Sequence, residues 1–198
     1  RKTGGVERGK PVKPREVFFA TSNQGKFREV EALASQFGLK IRMVPLKPVE
    51  IQHENLAEIA KHAVRQVLRR LRAPVFVEDA GLFIEALNGF PGPYSSYVYK
   101  TLGVQGILKL LEGNSNRRAY FLSAIAFARP RMKVKVFLGR SDGVIGWKAK
   151  GESGFGFDPI FHPEGVKQTF AEMGLENKNR YSHRAEAFRK LAEWLLRD

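Results

Sequence analysis

The sequence predicts an α/β fold: a mixed sheet flanked by helices, in two lobes with a cleft between them. Three observations predict it. From Val17 to Asp79, short apolar runs alternate with stretches of helical period, a β-α-β-α-β start. Residues 119–128 and 132–138 are two further apolar runs joined by a turn at Arg129-Pro130-Arg131, and so short a link makes them antiparallel. Finally, Val75-Phe76-Val77 leads straight into Glu78 and Asp79, with Gly81 then turning the chain. Carboxylates at the C-terminal end of a buried strand lie where open α/β sheets bind ligands. Two adjacent acids there are costly to bury without a cation, and a divalent metal carrying phosphates would supply one. The bland alternative is an acidic surface loop.

Taken in order, residues 1–15 carry three Gly, two Pro and mostly charges, and are expected to form a flexible basic tail. Residues 16–198 are expected to form one domain of two lobes. Val17–Ala20 is an apolar strand. Phe27, Val30, Leu33, Ala34 and Phe37 then stripe a helix. Between them lies Thr21-Ser22-Asn23-Gln24-Gly25-Lys26. A helix N-terminus with free N–H groups and a lysine suits an anion; an ordinary turn capped by Ser22 or Asn23 is the alternative. The loop is not a Walker A motif, because the first Gly and the Ser/Thr after Lys are missing.

Leu39–Val44 is a second strand, and Pro45 and Pro48 extend the connection that carries Glu50. Asn55 with Glu58 three residues on reads as a capping box, which leaves Glu50 as the better metal-ligand candidate. Leu56, Ile59, Ala60, Ala63, Val64, Val67, Leu68 and Leu71 form one helical face, with Lys61 largely outside it. Gly89–Ser96 is a rigid turn that either shapes a pocket or leads into a helix capped by Ser95. A short helix over 104–111 follows. The strand at 132–138 alternates, so one of its faces is expected to be wet. Gly151–Phe161 holds three Gly and three Phe. It presents Phe155 or Phe157 to a flat base, or is a bulge with buried aromatics. The last helix starts at Ser182, with Ala185, Phe188, Leu191, Ala192 and Leu195 as its buried stripe. His183 and Arg184 fall in its first turn, where the dipole disfavours cations; an anionic or acceptor-rich ligand would explain them, as would simple exposure to water.

Composition narrows the class. With 43% hydrophobic residues the 198-residue chain is a folded one, and no apolar run approaches the ~20 residues of a membrane span. The polar, basic first sixteen residues show no secretory pattern, and there is no Cys. Both fit a cytoplasmic location, and the second excludes disulfides and thiolate sites. The net charge is +14. Arg1–Glu16 holds six basic and two acidic residues, or +4, which leaves +10 on the body. Such a surface attracts polyanions, so a nucleic-acid-binding protein is the rival of a different class. It would need aromatic residues interleaved with basic ones along a strand, and no such run is present.

Five patches together closely resemble the inosine triphosphate pyrophosphatase (Ham1-like) family, archaeal members above all. They are Thr21–Lys26, Glu50 with Glu78–Asp79, Phe90–Ser96, Phe155–Asp158, and Lys178 with Ser182–Arg184. The resemblance runs from about Val17 to Leu196. It implies an elongated mixed sheet with a central nucleotide cleft, a homodimer, and Mg²⁺-dependent hydrolysis of ITP, dITP or XTP to the monophosphate and pyrophosphate. Neither a membrane nor a nucleic acid is required. A pyrophosphatase for other modified nucleotides is the nearer rival.

By the same resemblance Thr21, Ser22, Asn23 and Lys26 match the triphosphate loop, and Glu50 and Asp79 the metal acids. Asp79 would also activate water, with Glu78 and Lys26 beside it. Lys61, Ala80 and Ser96 match further substrate contacts. Phe155, Gly156, Phe157 and Asp158 match the base loop, and Lys178, His183 and Arg184 the surroundings of the purine. Position 157 often carries Tyr or Trp in the family and is Phe here.

Overall fold

A computed structural model describes residues 16–198; the expected basic tail at 1–15 lies outside the described residues. Strand β1 (Glu16–Ala20), helix α1 (Gln24–Ala34), β2 (Lys40–Val44), α2 (Leu56–Leu71) and β3 (Val75–Ile84) form the expected β-α-β-α-β start. Then come β4 (Pro91–Gly92), α3 (Ser95–Thr101), α4 (Gly103–Leu110), β5 (Arg118–Ala128), β6 (Lys135–Ile145), β7 (Phe161–Pro163), α5 (Leu175–Tyr181) and α6 (His183–Arg197). The sheet order is β2-β1-β3-β5-β6-β7, with β4 on β3. The pairs β1–β2 and β1–β3 are parallel and the rest antiparallel. No helix among the described residues is long and apolar enough to cross a membrane.

The predicted apolar stripes pack as expected. Val30, Leu33 and Ala34 of α1 meet Phe188, Leu191 and Leu195 of α6 over one face of the sheet. Leu56, Ile59, Ala60, Val64 and Val67 of α2 cover the opposite face around Val75 and Val77. A third cluster, with Leu82, Ile107, Phe121, Phe161 and Phe170, fills the antiparallel end.

Three expectations need correction. Strand β3 does not turn at Gly81 but runs ten residues to Ile84. Its parallel neighbour β1 pairs only as far as Phe76, whereas β5 continues alongside to the end. Glu78 and Asp79 therefore sit in mid-strand, just beyond the carboxyl end of the parallel part. Gly81 is needed for a different reason: a Cβ there would collide with the Gly92 carbonyl on β4. Strand β6 spans Lys135–Ile145 rather than 132–138. It does have a wet side, but that side carries Leu138, Arg140, Asp142 and Val144, while Phe137 packs towards α1 and α6. Ser95 does not cap a helix; its hydroxyl donates to the Gly92 carbonyl at 2.7 Å and accepts from Leu82 N–H at 2.8 Å, tying β4 to β3.

The first turn of α6 lies directly on β6, because Gly139 has no side chain. A Cβ at 139 would strike the His183 carbonyl and the Ala187 backbone nitrogen. Gly139→Ala is expected to cost about 1–3 kcal/mol through overpacking, measured by urea unfolding, and to displace the helix end that carries His183 and Arg184.

Candidate active site

The loop after β1 builds a helix N-terminus with free donors. Asn23 is the N-cap, its Oδ1 accepting from Lys26 N–H at 3.0 Å, and its own N–H donates to Thr21 Oγ1 at 3.1 Å. The capping residue is Asn23 and not Ser22, which is exposed. Of the four N–H groups that a helix leaves open, those of Gln24 and Gly25 find no acceptor among the described residues. Gly25 is also where Phe155 rests: a Cβ there would run into the Phe155 ring.

Behind this loop lies a network of three cations and three carboxylates, all buried but Lys26, which is half-buried. Lys178 Nζ donates to Glu29 Oε1 and to Asp158 Oδ2, each at 2.5 Å. Arg184 Nη1 reaches Glu29 Oε2 at 2.5 Å, and its Nε reaches Glu78 Oε1 at 3.1 Å. Ser123 donates to the same Glu78 oxygen at 2.7 Å. Lys26 Nζ is 2.7 Å from Glu78 Oε2, a charge contact off the hydrogen-bond direction, and 3.3 Å from the Glu78 carbonyl. Burial alone would raise the Glu78 carboxyl, but Arg184 and Lys26 hold it down at about 2. Glu29 is likewise held below the carboxylate range, against its burial, by Arg184 and Lys178. Asp158 moves the other way, because burial outweighs its contact with Lys178.

Asp79 points to the opposite face of β3 from Glu78, as alternation requires, and has no place in that network. Among the described residues its Oδ1 accepts only from Ala80 N–H, at 3.1 Å, and its buried Oδ2 has no partner. Burial, with the Glu78 and Glu50 charges, pushes its carboxyl up to about 7 despite Lys26. Glu50 is exposed, in the connection before α2. No group of three or more His, Asp and Glu side chains positioned to hold a metal occurs among the described residues.

The remaining candidates divide. Lys61 is half-buried and pairs with Glu58 at 2.7 Å. Glu58 therefore does not close the expected capping box; Asn55 caps α2 alone, accepting from Ala57 N–H. Ser96 is exposed at the start of α3, away from any hydrogen-bonded cluster. Phe155 is half-buried, with Lys178 Nζ 4.8 Å and the Arg184 guanidinium 5.3 Å from its ring centre. Asp158 accepts from Phe155 N–H at 2.9 Å and so fixes that loop, with Gly156 at φ +61°. Phe157 is not presented to the cleft. It is buried in the third cluster, edge-on to Tyr99 at 5.5 Å.

His183 and Arg184 do not point to water; both are buried. The His183 ring stacks on Phe121 at 4.6 Å with neither nitrogen partnered among the described residues, and burial beside Arg184 keeps it neutral.

Glu29, Ser123 and helix α5 belong to the site but to none of the patches that stand out in the sequence. The signal for Glu29 was available: it lies four residues before Leu33 and beside Val30, on the apolar face of its helix. Ser123, in the middle of an apolar strand, carried a weaker signal of the same kind.

The sequence matches the Ham1 family over residues 17–194. A "dITP/XTP pyrophosphatase" of Methanopyrus kandleri is 49% identical over 178 residues, covering 90% of this chain and 95% of that protein. One from Thermococcus kodakarensis is 49% identical over 177 residues, covering 89% and 95%. Among solved structures, a HAM1 protein from Coxiella burnetii superposes with a TM-score of 0.81 at 29% identity, covering 92% of this chain and 99% of that one.

The two kinds of acid predict opposite mutational signs. Glu29→Leu leaves Lys178 and Arg184 short of a buried partner and is expected to cost about 3–5 kcal/mol in urea unfolding. Asp79→Asn is expected to stabilise. The native state keeps the Asp79 proton between 3.8 and about 7, so rising pH removes stability through that window. The gain in Tm from Asp79→Asn should therefore grow from pH 4 to 7 and level off above it, as read by calorimetry.

Proposed function

The chain belongs to the Ham1 family, and from that premise we propose that it hydrolyses the triphosphates of deaminated purines, dITP, ITP and XTP, to the monophosphate and pyrophosphate. The observation that carries this reading is Asp79: a carboxyl with a buried oxygen that has no partner among the described residues, within the field of Lys26, whose helix N-terminus has two N–H groups without acceptors among those residues. A cation-bearing polyphosphate satisfies all of these groups at once.

The residues fit Mg²⁺. Asp79, with Glu50 the nearby second acid, would hold it, and two acids are enough because Mg²⁺ takes its other ligands from phosphates and water. When bound, the ion supplies charge stabilisation at phosphorus and lowers the pKa of water. The protein's own part is positional. Gln24 and Gly25 N–H groups and Lys26 would bind phosphate oxygens, supported by Thr21, Ser22 and Asn23 in the turn. Glu78 holds Lys26 in place. Asp79 would orient and deprotonate the attacking water. Ala80 and Ser96 would flank the nucleotide, and Lys61 would reach it by leaving Glu58.

Base choice follows from donors that cannot accept. Lys178 has three N–H groups and spends two on carboxylates; Arg184 keeps Nη2 uncommitted among the described residues. Both lie under Phe155, so a base that displaces or stacks on that ring meets donors, with neutral His183 beside them. Hypoxanthine and xanthine offer an O6 acceptor there. Adenine offers an amino group and leaves buried donors unmatched, which is expensive.

The reading extends to a homodimer in the cytoplasm, one domain of two lobes per chain. The uncovered sheet face supports a partner. Phe83 stacks on Tyr120 at 5.0 Å, and Leu122, Leu138 and Val144 continue that face with Leu138 and Val144 exposed. Leu138→Glu is expected to shift the mass measured by light scattering from dimer to monomer.

Pyrophosphate release should be fast for ITP, dITP and XTP, slow for ATP, GTP and dUTP, and absent with EDTA. Release from another nucleotide set would keep the reaction and replace the substrate; no release from any would overturn it. Asp79→Asn should lower kcat at least about 100-fold, and Mg²⁺ should raise the Tm of the parent but not of that variant.

A further inference from the structure

We propose a second ligand site, remote from the cleft: a platform around Trp147 that binds a nucleotide unit, a planar base carrying phosphate. The proposal goes beyond the hydrolysis described above and does not rest on it. The site is a cavity of about 830 Å³ whose walls include Arg117, Arg118, Trp147, Lys148, Lys150 and His162. No residue of the cleft lines it. It opens at the Arg118–Val144 end of the β5–β6 pair, whereas Glu78 faces Ile125 on β5. At the rise of an antiparallel strand the two places are roughly 20 Å apart.

Trp147 is 71% exposed, an unusual state for the largest aromatic side chain. It is nevertheless held. The Arg117 guanidinium lies 4.4 Å from its ring centre. Arg117 is itself fixed, donating to the carbonyls of Leu111 at 2.9 Å, Ile145 at 3.1 Å and Gly146 at 2.6 Å. With a cation under one face, the indole turns its other face to solvent as a rigid surface for a flat ring.

Charge supplies the second requirement. Arg117 is buried, and all three of its acceptors are neutral carbonyls. A buried cation without an acid is costly. Among the described residues no Asp or Glu lines the cavity, and exposed Lys148 and Lys150 add to its positive sign. Around Glu29 and Glu78, by contrast, buried Lys178 and Arg184 and half-buried Lys26 each contact a carboxylate. The Trp147 cavity thus asks for an anion with a flat apolar part. A free nucleotide and a nucleotide within a single strand share that chemistry.

The chain has two Trp residues, so Trp194→Phe leaves Trp147 as the only indole. Its fluorescence would be titrated with thymidine monophosphate, a short oligothymidylate and inorganic phosphate. Saturable quenching by the nucleotide or by the strand is expected, the first response identifying the free unit and the second a strand. Lys148→Glu with Lys150→Glu should weaken it about tenfold, more at low salt. In the otherwise unchanged protein, Trp147→Ala should lower affinity for labelled oligothymidylate about tenfold and leave pyrophosphate release unchanged. No saturable quenching by either thymidine compound would overturn the proposal. So would equal quenching by phosphate alone, or an indole shielded by a second copy of the chain at working concentration.

Discussion

The structure depends on one constraint: two buried cations, Lys178 and Arg184, and the half-buried Lys26 must satisfy three buried carboxylates and be satisfied by them. Glu29 comes from α1, Glu78 from β3, Asp158 from the glycine-rich loop, Lys178 from α5 and Arg184 from α6. Lys26 joins from the first turn of α1. Five segments far apart in sequence are thereby fixed at one point. Buried ion pairs of this kind add little net stability, because desolvation offsets the attraction. Their effect is to make one arrangement much better than its neighbours, since shifting any member strands a charge.

The network's value to a binding site lies in what it leaves out. Asp79 follows Glu78 in the chain, yet alternation along β3 sends it to the other face, where no cation bonds it. One acid is locked as a carboxylate and the next is starved of charge. The same arrangement leaves donor-only groups under Phe155 with N–H groups to spare. The site thus satisfies most of its groups from within and leaves Asp79 Oδ2, the Gln24 and Gly25 N–H groups and Arg184 Nη2 without partners among the described residues, the groups that the proposed triphosphate and base would meet.

Much of this was legible in the chain. The apolar stripes of α1, α2 and α6 mark the helices and their buried faces, and Ser182 is the N-cap that the sequence predicts. Helix period is a strong signal because it repeats over several turns. What escaped were features set by contact at a distance. Glycine after two acids suggested a turn at Gly81, but the position is small because β4 crosses there. Phe155 and Phe157 looked equivalent in sequence; only the packing shows that Phe155 covers Lys178 and Arg184 while Phe157 belongs to the core. Glu29 was visible as an acid on an apolar face, but its partners are 149 and 155 residues away.

The positive charge carried by the described residues also finds its place. It is not concentrated around Glu29 and Glu78, where Lys26, Lys178 and Arg184 are matched by acids, but includes outer surfaces such as the rim of the Trp147 cavity. We propose that Asp79, whose Oδ2 is buried without a partner among the described residues, is the principal acid left for a cation, with Glu50 as the second. The most direct test is to follow the Asp79 carboxyl carbon by NMR as pH changes, without and then with Mg²⁺. The account predicts titration near 7 in the absence of the ion and a large downward shift in its presence. An ordinary carboxylate value without Mg²⁺, unmoved by adding it, would contradict the account.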